Sequence, residues 1–150
     1  MLSVKAARDY ARKVKPHIKQ PEMLVPETAH ASFHKAAHYF GVTLVLVDVD
    51  PESMRASIDD YRAKLSGNTV LIVASAPSYA HGVVDPIVEC GQLALKADVL
   101  LHVDACIGGW VLPLQRELGL DVPEFDFNVP GVSSISVDLH KYAFAPKGVS

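Results

Sequence analysis

The stretch Thr69-Val70-Leu71-Ile72-Val73-Ala74 decides the fold. After its first residue it has no polar side chain, and most of its members are β-branched. A run this short and this continuously apolar reads as a strand buried on both faces rather than one half-open to water. Similar runs recur at Met23-Leu24-Val25, Thr43 to Val47, Val99 to Val103 and Ser133 to Val137. Between them lie segments of helical period, placed at His30 to Phe40, Ser53 to Leu65 and Pro86 to Lys96. Thr28 or its neighbours, Ser53, and Asp85 before Pro86 stand where N-caps belong, and Gly41 and Gly67 where helix stops belong. Strand and helix alternating through short connections predict an α/β fold: a mostly parallel sheet flanked by helices. The longest irregular stretch, Gly119 to Gly131, is rich in Pro, Asp and Phe, and a long loop of this kind is often functional or at an interface.

Bulk properties narrow the class. With 150 residues, 49% hydrophobic and 21% charged, the chain has the composition of one globular domain. The net charge of -3 with interspersed signs offers no basic stripe for nucleic acid and no cationic amphipathic face for a membrane. Small molecules and other protein chains are the expected partners. No apolar run approaches the roughly 20 residues that span a bilayer, and Met1 to Lys5 lacks a signal-peptide layout. Cys90 and Cys106 form neither a C-x-x-C motif nor a disulfide framework, which fits a reducing, cytoplasmic or cytosol-facing compartment. Met1 to Val14 reads as mid-helix and Pro146-Lys147-Gly148 leads toward a further strand, so the chain is expected to be a piece of a longer enzyme.

In open α/β sheets ligands bind beyond the carboxyl ends of the strands. Three ends carry polar residues: Ser75 to Gly82, His102 to Cys106, and Asp138 to Lys141. Asp104 closes a very apolar strand, where an unpaired carboxylate would be costly. It either meets a cation, such as a protonated pyridine nitrogen, or caps the turn at Gly108-Gly109. Lys141 follows another strand in an apolar setting that lowers an amine pKa, as a Schiff-base lysine requires; the alternative is an ordinary surface lysine. His30, His34 and His38 share one helix face at i, i+4 and i+8, but without an H-E-x-x-H arrangement no metal site is expected. His30, at the entry to its helix, is placed to lay its ring over a cofactor. His81-Gly82 reads as a turn or a pocket edge, and Lys147 as an anion ligand or a solvated lysine.

Together, Pro26-Glu27-Thr28-Ala29-His30-Ala31-Ser32-Phe33, His81-Gly82-Val83-Val84-Asp85-Pro86, His102-Val103-Asp104-Ala105-Cys106-Ile107-Gly108-Gly109 and Ser134 to Tyr142 resemble the pyridoxal-phosphate (PLP) dependent group II decarboxylase superfamily. Within it the chain is most similar to the sphingosine-1-phosphate lyases and their bacterial relatives. The resemblance implies the central part of the large domain of a fold-type I PLP enzyme. It implies Lys141 as the Schiff-base lysine, Asp104 at the pyridine nitrogen, His30 stacked on the ring and His140 at the cofactor phosphate. It further implies Lys147 at a substrate phosphate, Tyr79 and His81 at the pocket border, and a homodimer. The family's glycine-rich phosphate loop would precede Met1 and its small domain would follow Ser150, so the piece alone is expected to bind PLP poorly.

The activity so implied is retro-aldol carbon-carbon cleavage of a phosphorylated long-chain base to an aldehyde and phosphoethanolamine. The rival is an amino-acid decarboxylase, disfavoured by D-x-H-K where decarboxylases commonly read N-P-H-K and by Lys147. A non-catalytic dimerisation module would be free to lose Asp104 or Lys141, and both are present. The chain departs from the lyases at Tyr79-Ala80, where they read F-P, and at Leu139, Ala143 and Phe144, where they read T, G and Y. These changes lie on the substrate side.

Overall fold

The computed structural model describes residues 1–149. Five strands, β1 (Glu22–Pro26), β2 (Thr43–Val47), β3 (Thr69–Ser75), β4 (Leu100–Asp104) and β5 (Val132–Ser136), form one parallel sheet in the order β2-β1-β3-β4-β5. The helices are α1 (Leu2–Val14), α2 (Ser32–Phe40), α3 (Ile58–Lys64), α4 (Ile87–Ala97) and α5 (Gly108–Glu117). The expected α/β architecture is the one found.

Side-chain alternation distributes the strands between two cores. Met23, Val25, Leu71 and Val73 face α1 and α2, joined by Val4, Ala7, Phe33 and Ala36. Leu24, Ile72, Ala74, Leu101 and Val103 face the other way, toward Tyr61, Ile87, Cys90, Ala94 and Leu112. β3 lies at the middle of the sheet between these layers and is buried at every position, which is why its sequence shows no polar alternation. The chain leaves β1 for β2 on one side and returns to β3 on the other. This reversal opens a crevice at the carboxyl ends of the strands.

The helix boundaries differ from expectation in four places, each for a local reason. Thr28 does not cap α2: its hydroxyl is buried without a partner, and the Ser32 N–H goes to His30 Nδ1 at 3.1 Å. The helix expected from Ser53 begins at Ile58, because Asp50 Oδ1 accepts the Ser53 and Glu52 N–H groups and holds 51–54 as a turn. Ser57 is the cap, with its hydroxyl accepting the Asp60 N–H. Asp85 does not cap α4; its carboxylate turns inward to the Ser75 and Ala56 N–H groups. Gly41 ends α2 in the left-handed region at φ 62°, whereas α3 stops at Leu65 in extended conformation and needs nothing from Gly67.

Helix α5 is the element absent from the sequence reading, which has only a turn at Gly108-Gly109. Two glycines in its first turn and Pro113 inside it obscure the helical pattern. The glycines serve packing: a Cβ on Gly108 would lie 2.1 Å from the Ala76 carbonyl oxygen, and one on Gly109 2.6 Å from Val137. The irregular stretch from Gly119 to Gly131 is docked, not loose, with Phe125 and Val129 inserted in the core and Gly131 against Gly91 of α4. No described helix is long and apolar enough to cross a membrane.

Candidate active site

Beyond the carboxyl ends of β3, β4 and β5 lies a cavity of about 770 Å³, bounded on its other side by the first turns of α1 and α2. Asp104, Lys141, His30 and Tyr79, singled out from separate strand ends, all line it. His81, His140 and Lys147 do not. His81 and Lys147 are exposed in turns. His140 is half-buried behind the wall; its Nε2 lies 3.8 Å from Asp138 Oδ2, and its Nδ1 is buried with no hydrogen-bond partner.

Each lining residue is held by its neighbours. Asp104 does not cap the Gly108-Gly109 turn. Its Oδ1 accepts the Cys106 N–H and the Ser136 hydroxyl, both at 3.1 Å. Lys141, in the turn after β5, pairs with Asp138 at 3.0 Å. His30 Nδ1 accepts the Ser32 N–H, which in the neutral ring leaves the proton on Nε2, and the imidazole makes a T-shaped contact with Tyr79 with ring centres 5.7 Å apart. His34 and His38 are exposed on α2, and no group of three or more His, Cys, Asp or Glu among the described residues is arranged to hold a metal.

His102, Ser134, Ser136, Cys106 and Asp138, which carry no individual role in the sequence, also line the cavity. His102 lies two residues before Asp104 and so on the same face of β4. Its Nδ1 is 2.8 Å from Ser134 Oγ and its ring packs near Phe33. Burial holds its pKa down to about 4, so the imidazole is neutral at physiological pH. Burial, reinforced by the neighbouring Asp104 carboxylate, pushes the Cys106 thiol up to about 12 and keeps it protonated. The one signal for this group in the sequence is period two: polar residues at 102 and 104, and at 134 and 136.

The cavity thus sets a carboxylate on one strand end, a primary amine beyond the next and an aromatic imidazole across from them. That set suits a planar aromatic ring with a protonated nitrogen and a carbonyl carbon within reach of an amine. The fit to PLP is chemical: Asp104 has one oxygen tied back and a second for a ring N–H, and Lys141 supplies the amine.

A parallel α/β sheet with this donor set defines the class of fold-type I PLP enzymes. Within that class the chain belongs to the family described as the pyridoxal-dependent decarboxylase conserved domain, whose model matches residues 3–150. It is 51% identical over 150 residues to the sphingosine-1-phosphate lyase of Arabidopsis thaliana, covering 100% of this chain and 27% of that protein. The solved structure of the Burkholderia pseudomallei sphingosine-1-phosphate lyase superposes with a TM-score of 0.94 at 44% identity, over 97% of this chain and 33% of that one. The Lactobacillus brevis glutamate decarboxylase shares the fold, with a TM-score of 0.78 at 23% identity over 95% of this chain and 33% of that one. The chain therefore spans about a quarter to a third of the length of these relatives.

Proposed function

We propose that this chain forms the cofactor-binding floor of a PLP-dependent carbon-carbon lyase acting on a phosphorylated long-chain base, with an aldehyde and phosphoethanolamine as products. The observation that carries the cofactor assignment is the convergence of Asp104, Lys141 and His30 on one cavity. The substrate assignment rests on the 44–51% identity to sphingosine-1-phosphate lyases along nearly the whole chain.

When bound, PLP supplies an electron sink for the pair released as a bond to Cα breaks. The protein's own groups do the rest. Lys141 is the covalent anchor, and Asp138, 3.0 Å away, balances its ammonium whenever it is free. Asp104 would hold the proton on the ring nitrogen. His30, held by the Ser32 N–H and by Tyr79, would present its imidazole to the cofactor ring. His140, next to Lys141 in the same turn, would have to turn its buried Nδ1 toward the cavity to meet the cofactor phosphate. Lys147 takes the substrate phosphate, while Tyr79 and His81 border the substrate side.

In this reading residues 1–150 are the central part of the large domain of a homodimeric, cytosol-facing enzyme. The phosphate-binding loop and the small domain lie in other parts of the protein, and the isolated 150 residues bind PLP weakly.

The test is borohydride reduction of the full-length protein loaded with PLP, followed by peptide mass mapping and a product assay with a phosphorylated long-chain base. A pyridoxyl mass on the Lys141 peptide with aldehyde release is expected. Label on Lys141 with carbon dioxide released from an amino acid instead would move the activity to a decarboxylase. An unlabelled Lys141 would overturn the cofactor assignment.

A further inference from the structure

The pairing of β4 with β5 contains an irregularity whose effect is chemical. Leu101 is opposite Val132, so an unbroken ladder would set Ser133 against His102 and Ile135 against Asp104. The register instead shifts by one residue between Leu101 and His102, and the pairs become His102 with Ser134 and Asp104 with Ser136. A one-residue slip exchanges the two faces of a strand. Here it replaces Ile135 with a hydroxyl beside the cavity's carboxylate. Ser133, the extra residue, takes up the disturbance: its Oγ accepts the Leu101 N–H at 3.1 Å and donates to the Gly131 carbonyl at 3.3 Å.

Ser136 Oγ then donates to Asp104 Oδ1 at 3.1 Å, and the Cys106 Sγ donates to Ser136 Oγ at 3.4 Å. The thiol fills a lone pair of the serine, which aims the serine proton at the carboxylate. With the Cys106 N–H on the same Oδ1, both bonds converge on one oxygen and leave Oδ2 to face a cation.

We propose that Ser136, set opposite Asp104 by the bulge at Ser133 and oriented by the Cys106 thiol, is the positioning residue for the carboxylate that meets the cofactor nitrogen. This inference rests on the PLP assignment above. Ser136 acts only through Asp104. Burial keeps the Cys106 thiol protonated, so it has a proton to donate across the working range of pH.

The experiment measures the equilibrium affinity of the full-length protein for PLP and the visible absorption of the bound cofactor, in wild type and in Ser136→Ala, Ser136→Thr and Cys106→Ala. Losing a hydrogen bond to a charged group predicts about tenfold weaker PLP binding in Ser136→Ala with a displaced visible band. Ser136→Thr restores the hydroxyl and is expected to recover both. Cys106→Ala perturbs the relay without touching β5 and is expected to weaken binding about threefold. Wild-type affinity and spectrum in both Ser136→Ala and Cys106→Ala would overturn the positioning role while leaving the PLP assignment intact. A wild-type protein that binds no PLP would overturn both.

Discussion

Asp85 and Asp104 lie near the carboxyl ends of neighbouring strands, and each receives two hydrogen bonds, but they are built for different ends. On Asp85 the bonds are divided: Oδ1 takes the Ala56 N–H at 2.9 Å and Oδ2 the Ser75 N–H at 2.7 Å. The side chain is 1% exposed and stitches β3 to the loop before α3. On Asp104 both donors fall on Oδ1, and the residue lines the cavity half-buried. A carboxylate with both oxygens satisfied by backbone is a structural clamp. One with a single oxygen tied back is fixed in direction and still able to bind.

The sharpest way to break this distinction is to remove each carboxylate in turn. Asp104→Ala is expected to lower turnover of the full-length enzyme by about 10³-fold, as loss of a preorganised electrostatic partner does, with its thermal midpoint nearly unchanged. Asp85→Ala should do the reverse. It strands two buried N–H groups at a cost of about 3 kcal/mol, read in urea or thermal unfolding, while the folded fraction keeps its specific activity. An Asp85→Ala protein as stable as wild type but inactive would erase the difference between the two sites.

How far the sequence reveals this follows from what each feature depends on. β3 is legible because central burial removes polar residues from the run itself. Asp104, Lys141 and His30 are legible as candidates because they lie at or just beyond the carboxyl ends of apolar runs. Helix α5 is hidden because Gly108 and Gly109 are selected for close approach to Ala76 and Val137, a tertiary demand that overrides helix propensity. The turn at 51–54 is hidden because the Asp50 side chain competes for the N–H groups a helix would use. The pairing of Ser136 with Asp104 could not be read at all, since it depends on a register shift between strands distant in sequence.

His102 sharpens the comparison from within β4. It shares a strand face with Asp104 but lies one rung deeper, 3% exposed, where burial lowers its pKa to about 4. The unfolded chain holds the ordinary value of 6.5, so between these values it binds more protons than the folded one. The stability contributed by the neutral ring is therefore complete above 6.5 and is lost as pH falls toward 4. From pH 7 to 5 about 2 kcal/mol should disappear in wild type and be retained in His102→Gln. Parallel stability curves for the two proteins across that range would place a charged, solvated imidazole where the structure has a neutral buried one.

The smallest effect tests the clamp side alone. Tyr61 is completely buried on the Asp85 face of the sheet, and its hydroxyl donates to the Val73 carbonyl oxygen of β3. Burial raises its pKa further above the ordinary range, so it remains a neutral donor at any working pH. Tyr61→Phe keeps the ring that fills the core and removes only this bond, for an expected loss of about 1 kcal/mol. Val73 points its side chain toward α1 and α2, and the cavity begins two residues further along β3 at Ser75. PLP affinity and turnover should therefore be those of wild type. A Tyr61→Phe enzyme with weakened PLP binding would mean that strain on the Asp85 side reaches the cavity through β3, and the two carboxylates would then belong to one coupled unit rather than to a clamp and a site.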